Sequence, residues 1–147
     1  MTIFKILRDK WIEDGLSINP GKSAEDVYHF EEKHGVALPR SFKEYLETVN
    51  GMPEGETDKN LISFLSLELI DQEPNFKVLS GNVVELIFAE YSIYCHCYVL
   101  RSSRRGDRSV VVGTSGEMEK HIADSFDNFI KLYLSNPTGI ANFWSIP

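Results

Sequence analysis

The spacing at which apolar residues recur changes twice along this chain, and that change limits the folds open to it. Up to about residue 50 the spacing is helical. Ile3, Leu7 and Trp11, with Phe4 beside them, share one helical face, and Gly15 is placed to end it. Ser23 stands three residues before Asp26, as a cap and an acidic third residue would. Ala24, Val27 and Phe30 then form the stripe of a short helix that stops at Gly35. Pro39 opens a third helix in which Phe42, Tyr45, Leu46 and Val49 fall at i, i+3, i+4 and i+7, and Asn50-Gly51 closes it.

After this the composition turns to β-branched, aromatic and aliphatic runs. Residues 61–70 (LISFLSLELI), 83–89 (VVELIFA), 93–100 (IYCHCYVL) and 109–114 (SVVVGT) are predicted strands. The polar stretch 101–108 between the last two, with Gly106-Asp107, is predicted to be a β-hairpin loop, so that pair is antiparallel. A final helix follows, with Asp124 or Ser125 as cap, Phe126, Phe129, Ile130 and Tyr133 as its apolar stripe, and Asn136-Pro137 as its end. In the tail from 135 to 147, Phe143 and Trp144 are too apolar to leave in water and are expected to dock.

Helices first, strands in the middle and a helix last predict an α+β fold: a single domain over 1–147 with a central, mostly antiparallel sheet carrying the N-terminal helices and the C-terminal helix. No strand-helix-strand repetition or internal repeat competes with that reading. A chain of 147 residues buries roughly 68 to 70% of the surface it exposes when unfolded, enough for a core without staples.

The segment from Phe30 to Gly51 (FEEKHGVALPRSFKEYLETVNG) resembles the signature of the SUKH superfamily, through Phe30-Glu31, Gly35, Leu38-Pro39, Phe42, Tyr45-Leu46 and Asn50-Gly51. Residues 122–126 (IADSF) with Phe129-Ile130 are similar to that family's C-terminal helix, and Ile87-Phe88-Ala89-Glu90 with Tyr98-Val99-Leu100 to its central strand pair. The best-matched parts are 24–51 and 83–134. The chain departs from many relatives in lacking a glycine after Glu90, and Met52 stands where a second glycine often follows Asn-Gly. The resemblance implies a non-enzymatic protein-binding module. Its first form is an immunity protein that neutralises a toxin, often a nuclease; the alternatives are a regulator of the type assigned to cell-wall glucan synthesis or another ligand-sensing binding domain, with a small enzyme as the minor one.

Fifteen basic against 22 acidic side chains give a net charge of −7 and a pI near 5.1, which argues against direct nucleic-acid binding. It permits a basic protein partner. The charge is uneven: Arg101, Arg104, Arg105 and Arg108 with Asp107 carry +3, leaving −10 on the rest. That hairpin is expected to be a solvated loop blunting a sheet edge. Glu54, Glu56 and Asp58 cluster in the loop after the third helix, while Glu85 and Glu90 lie on or beside a strand near Tyr91, Tyr94 and Tyr98. Together these eight are the candidate partner interface, carboxylates steering a basic protein and aromatic rings anchoring it; a solvated loop and ordinary sheet aromatics are the other reading.

No catalytic, cofactor-binding or metal-ligating set is expected. On a strand, Cys95 and Cys97 share one face and His96 takes the other, so the three do not converge, and the thiols are expected to be small buried groups. Their Cα atoms would lie about 6.6 Å apart in extended chain, at the limit for a disulfide, which suits a reduced cytoplasmic protein. His29 and His34 are i, i+5, about 140° apart on a helix, and do not form a zinc pair. Glu85 and Glu90 are the one sheet pair available for acid-base work, and on an uninterrupted strand they face opposite ways. Residues 1–10 lack a long apolar run, so neither a leader nor a membrane partner is expected, and a monomer is the default state.

Overall fold

The computed structural model describes residues 2–145. Three helices come first. In α1 (Ile3–Glu13) the Thr2 hydroxyl caps the Lys5 N–H, and Phe4, Leu7 and Trp11 are the buried face. In α2 (Ala24–His34) Ser23 caps Asp26, and Gly35 ends the helix in the left-handed region at φ 63°. The third, α3 (Arg40–Thr48), starts behind Pro39 and buries Phe42, Tyr45 and Leu46.

Asn50-Gly51 does more than stop α3. The Asn50 side chain accepts from the Leu67 N–H at 2.7 Å and donates to Glu68 at 2.9 Å, so it holds the start of a later helix. Gly51 sits at φ 63°, where a Cβ would lie 2.6 Å from the Leu65 carbonyl oxygen. Only glycine fits there.

Residues 61–70 are not one strand. Strand β1 (Ile62–Phe64) is followed by a one-turn helix α4 (Leu67–Ile70), where the Ser66 hydroxyl accepts from the Leu69 N–H. The run is buried on both sides of Ser66, so its composition shows no period, and the serine cap decides where the chain turns. The remaining strands are β2 (Phe76–Leu79), β3 (Val83–Tyr91), β4 (His96–Ser103), β5 (Ser109–Ser115) and β6 (Met118–Ala123). Of these, β4 begins three residues later than predicted, because residues 92–95 belong to a turn. All pairings are antiparallel, in the order β1-β3-β4-β5-β6, with β2 on the same edge of β3 as β1.

Ser125 caps α5 (Phe126–Ser135), and Asn136 both ends it and caps α6 (Pro137–Ala141). A 3-10 turn, Phe143–Ser145, closes the described chain. Phe143 is buried, and its ring packs where Gly113 leaves room; Trp144 is half-buried and donates to His96 Nδ1 at 3.3 Å. The tail therefore docks as far as it is described; Ile146 and Pro147 lie outside the described residues.

The core is one aromatic cluster between helices and sheet. Phe88 of β3 meets Phe126 and Phe129 of α5 edge-on, each with ring centroids 5.1 Å apart, and Phe42 meets Phe126 at 4.9 Å. Each such ring contributes about 1.5 to 3 kcal/mol by leaving water. Among the described residues no helix is long and apolar enough to cross a membrane.

Candidate functional site

The helices use one face of the sheet. Along β4, Tyr98 and Leu100 point into the core, so alternation turns Cys97, Val99 and Arg101 to the other face. Strand β3 carries an irregularity between Ile87 and Ala89 that inserts one extra residue. Its effect is to reset the alternation: Glu85 pairs with Arg101 and Glu90 with Cys97, and those partners are four apart on β4. Glu85 and Glu90 therefore share the outer face instead of opposing one another. A β-bulge has no signature in the composition of residues 83–91, which is why alternation counted straight through fails here.

That outer face holds a groove of about 240 Å³ whose lining comes from strands and turns, with no helical residue. Ile87 and Val99 are cross-strand neighbours and form its apolar floor, with Val112 buried beside Val99 on the next strand. Over them Arg101 makes a two-sided clamp, Nε to Glu85 at 2.6 Å and both terminal nitrogens to Glu119 at 2.9 and 2.8 Å. The Glu119 hydrogen bonds, followed by those of Glu85, raise the guanidinium pKa against the opposing effect of burial. In turn Arg101 holds the Glu119 carboxyl below the usual range. Lys77 lines the same groove. Neither Arg101 nor Glu119 is among the sequence candidates: Arg101 falls in the predicted hairpin loop, and residues 118–123 carry no strand signal of their own.

At one end of the groove Glu90 is only 7% exposed, and its carboxylate accepts from the Tyr94 N–H across the β3–β4 turn. Ser92, Ile93 and Tyr94 all take left-handed backbone, with φ of 49°, 57° and 61°. Burial raises the Tyr94 phenol pKa, a hydrogen bond with Asn75 opposes this, and the charges of Glu90 and Glu54 add to it. So Glu54 of the loop and Glu90 of the strand do come near one tyrosine. The Cys97 thiol is pushed up to about 11, by burial first and by Glu90 second, which keeps it a poor nucleophile. Cys95, expected to be buried, is exposed in the turn.

The other candidates scatter. Asp58 is buried, taking the Asn60 and Ile62 N–H groups on Oδ1 and the Tyr133 hydroxyl on Oδ2 at 2.5 Å. Tyr98 is fully buried and donates to the Ile140 carbonyl at 2.9 Å. These two are parts of the core and cannot touch a partner. Glu56 accepts from the Ser17 N–H at 2.9 Å, and Tyr91 stacks on His96 with ring centroids 5.3 Å apart. Nor is the basic hairpin free: Arg104 donates to the Gly35 carbonyl at 3.0 Å and accepts from the Ala37 N–H at 2.8 Å, docking the loop on the α2–α3 connection.

The sequence model of the SMI1 / KNR4 family (SUKH-1) matches residues 21–132, about three quarters of the chain. No curated protein matches it.

Proposed function

The chain belongs to the SMI1 / KNR4 family (SUKH-1), and from that membership we propose that it is a non-catalytic protein-binding module whose helix-free sheet face meets a basic protein. The observation that carries the reading is the face itself: an apolar floor of Ile87 and Val99, walled by Glu85, Arg101 and Glu119, with Glu90 further along the same face opposite Cys97. The floor is already largely covered, Val99 being 6% exposed, so the floor sets the shape a partner must match while the fixed charges set register and reject wrong partners. The Arg101 clamp makes the walls rigid before any partner arrives, which lowers the ordering cost of association.

Acid-base chemistry fits poorly, even with both carboxylates on one face. Their partners are four residues apart on β4, about 13 Å along the strand, beyond the roughly 5 to 9.5 Å at which two carboxyl groups act on one bond. Glu85 is also engaged by Arg101, and Glu90 by the Tyr94 N–H.

Within this reading the neutralisation of a toxin domain is preferred. A nuclease surface is basic because it holds phosphates, and a chain of net charge −7 is steered toward it. The test is capture from the native cell by tagged wild type, Val99→Lys and Tyr28→Lys, Tyr28 being an exposed residue of α2. The expected result is a basic protein retained by wild type and Tyr28→Lys, lost at least tenfold by Val99→Lys, and associating more slowly as salt rises. Retention indifferent to both Val99→Lys and salt would contradict the proposal. Loss of the captured protein's nuclease activity in the complex selects immunity; a component of glucan synthesis selects the regulator.

A further inference from the structure

Ile93 is 90% exposed, more than the other outward-facing large apolar residues, which range from 40% to 65%. Scattered apolar residues on a surface need no explanation. Ile93 differs in its backbone. A β-branched residue at φ 57° crowds its own carbonyl, and here it sits between two further left-handed residues, none of them glycine. Glycine would relieve that conformation at any of the three positions. It is held by Glu90, a nearly buried carboxylate committed to the Tyr94 N–H, and by two backbone bonds, Ser92 N–H to the Leu61 carbonyl at 3.0 Å and Cys95 N–H to the Tyr91 carbonyl at 2.9 Å. A strained turn supported from inside and tipped by an apolar side chain in water has no evident use to the isolated fold.

The surroundings say what would cover it. The Ser115 hydroxyl bonds to the Cys95 carbonyl at 3.3 Å, so the β5–β6 turn, with exposed Glu117, lies against the β3–β4 turn. Glu119 follows on the groove wall, where Arg101 balances it, and the charge of Glu54 bears on Tyr94. Of the cations, Arg101 is already clamped by two carboxylates, Lys77 stands opposite Glu85 at the end of β3 away from the turn, and Lys59 lies toward the helices, beside Lys10 and Trp11. The rim is therefore anionic. A second copy of a chain with net charge −7 would bring the same rim and be repelled.

Resting on the binding-module reading above, we propose that Ile93 is the apolar anchor of the interface, presented by the β3–β4 turn to a pocket on the partner that is rimmed by lysine or arginine. Tyr94, half-exposed beside it, is the second ring of contact. Anchors of this type sit in desolvated pockets inside a polar rim and carry a disproportionate share of affinity.

The direct test replaces residue 93, 99 or 28 in turn with a photo-crosslinking amino acid in the full chain and identifies adducts with the protein captured from native cells. An adduct at 93 that is lost in a Glu117→Lys, Glu54→Lys background supports the anchor. An adduct at 99 without one at 93 overturns the anchor and leaves the module standing. Adducts at 28 alone, or none at all three sites, overturn both; a 93 adduct with a second copy of this chain overturns the anchor's partner assignment. A second measurement separates function from folding: Ile93→Gly is expected to unfold at the same or higher urea concentration while retaining at least tenfold less partner. An earlier unfolding midpoint, or undiminished retention, would overturn the proposal.

Discussion

At the scale of single residues, three carboxylates in one loop have three different occupations. Asp58 ties the loop to itself and to α5 through Tyr133, whose hydroxyl in turn accepts from Trp11 Nε1 at 3.1 Å; Glu56 bonds the Ser17 N–H; Glu54 is exposed. As letters they are alike. What separates them is which carboxylate the chain folds over, and that depends on α1 and α5 arriving from 40 to 75 residues away. The consequence is measurable by urea unfolding. Asp58→Ala strands the buried Tyr133 hydroxyl and the Ile62 N–H and is expected to cost about 3 kcal/mol, whereas Glu54→Ala is expected to stay within about 0.5 kcal/mol. The same limit applies to Tyr98 and Tyr94, of which one is core and the other half-exposed.

At the scale of elements, what could be read was what local chemistry decides. Ser23, Gly35, Pro39 and Ser125 are caps and stops whose effect is confined to a few residues: α2, α3 and α5 begin behind Ser23, Pro39 and Ser125, and α2 ends at Gly35. The β4–β5 hairpin follows for the same reason. What escaped was set by pairing: the bulge in β3, the break of 61–70 at Ser66, and β6, whose partner strand rather than its own composition makes it a strand. Contacts between elements were equally hidden. His34 in the last turn of α2 packs on Phe30 and Phe76 and bonds to Asp71 at 2.6 Å, and Lys33 joins the same carboxylate at 2.8 Å. Burial works to raise the Asp71 pKa, but the hydrogen bonds from Lys33 and His34 outweigh it and hold it below the ordinary value. A depressed carboxyl stabilises the fold above its unfolded pKa, near 4, and loses that contribution as pH falls through the lower folded value. Unfolding midpoints followed from pH 6 downward are therefore expected to drop below about pH 4, and Asp71→Asn is expected to flatten that limb while costing about 1 kcal/mol at pH 7.

At the scale of the whole molecule, the order of helices and strands was enough for the α+β class, because a sheet with one apolar face must take its cover from whatever helices the chain supplies. The covered face could be anticipated from helical stripes; the open face could not, since its floor and walls come from five strands whose register no single segment encodes. The charge of −7 acquires a location in part: Arg104 is held against the α2–α3 connection, Arg101 is neutralised within the groove by Glu85 and Glu119, and Glu54, Glu90 and Glu117 lie toward the end where the β3–β4 turn projects. The claim that this open face and its end are where the chain binds is tested most directly by hydroxyl-radical footprinting of the chain alone and in complex with the protein it captures. The predicted result is protection of Ile93, Tyr94 and Met118 at the strand ends with Tyr28 and Ile12 on the helices unchanged; protection of Tyr28 and Ile12 with the strand ends left reactive would contradict it.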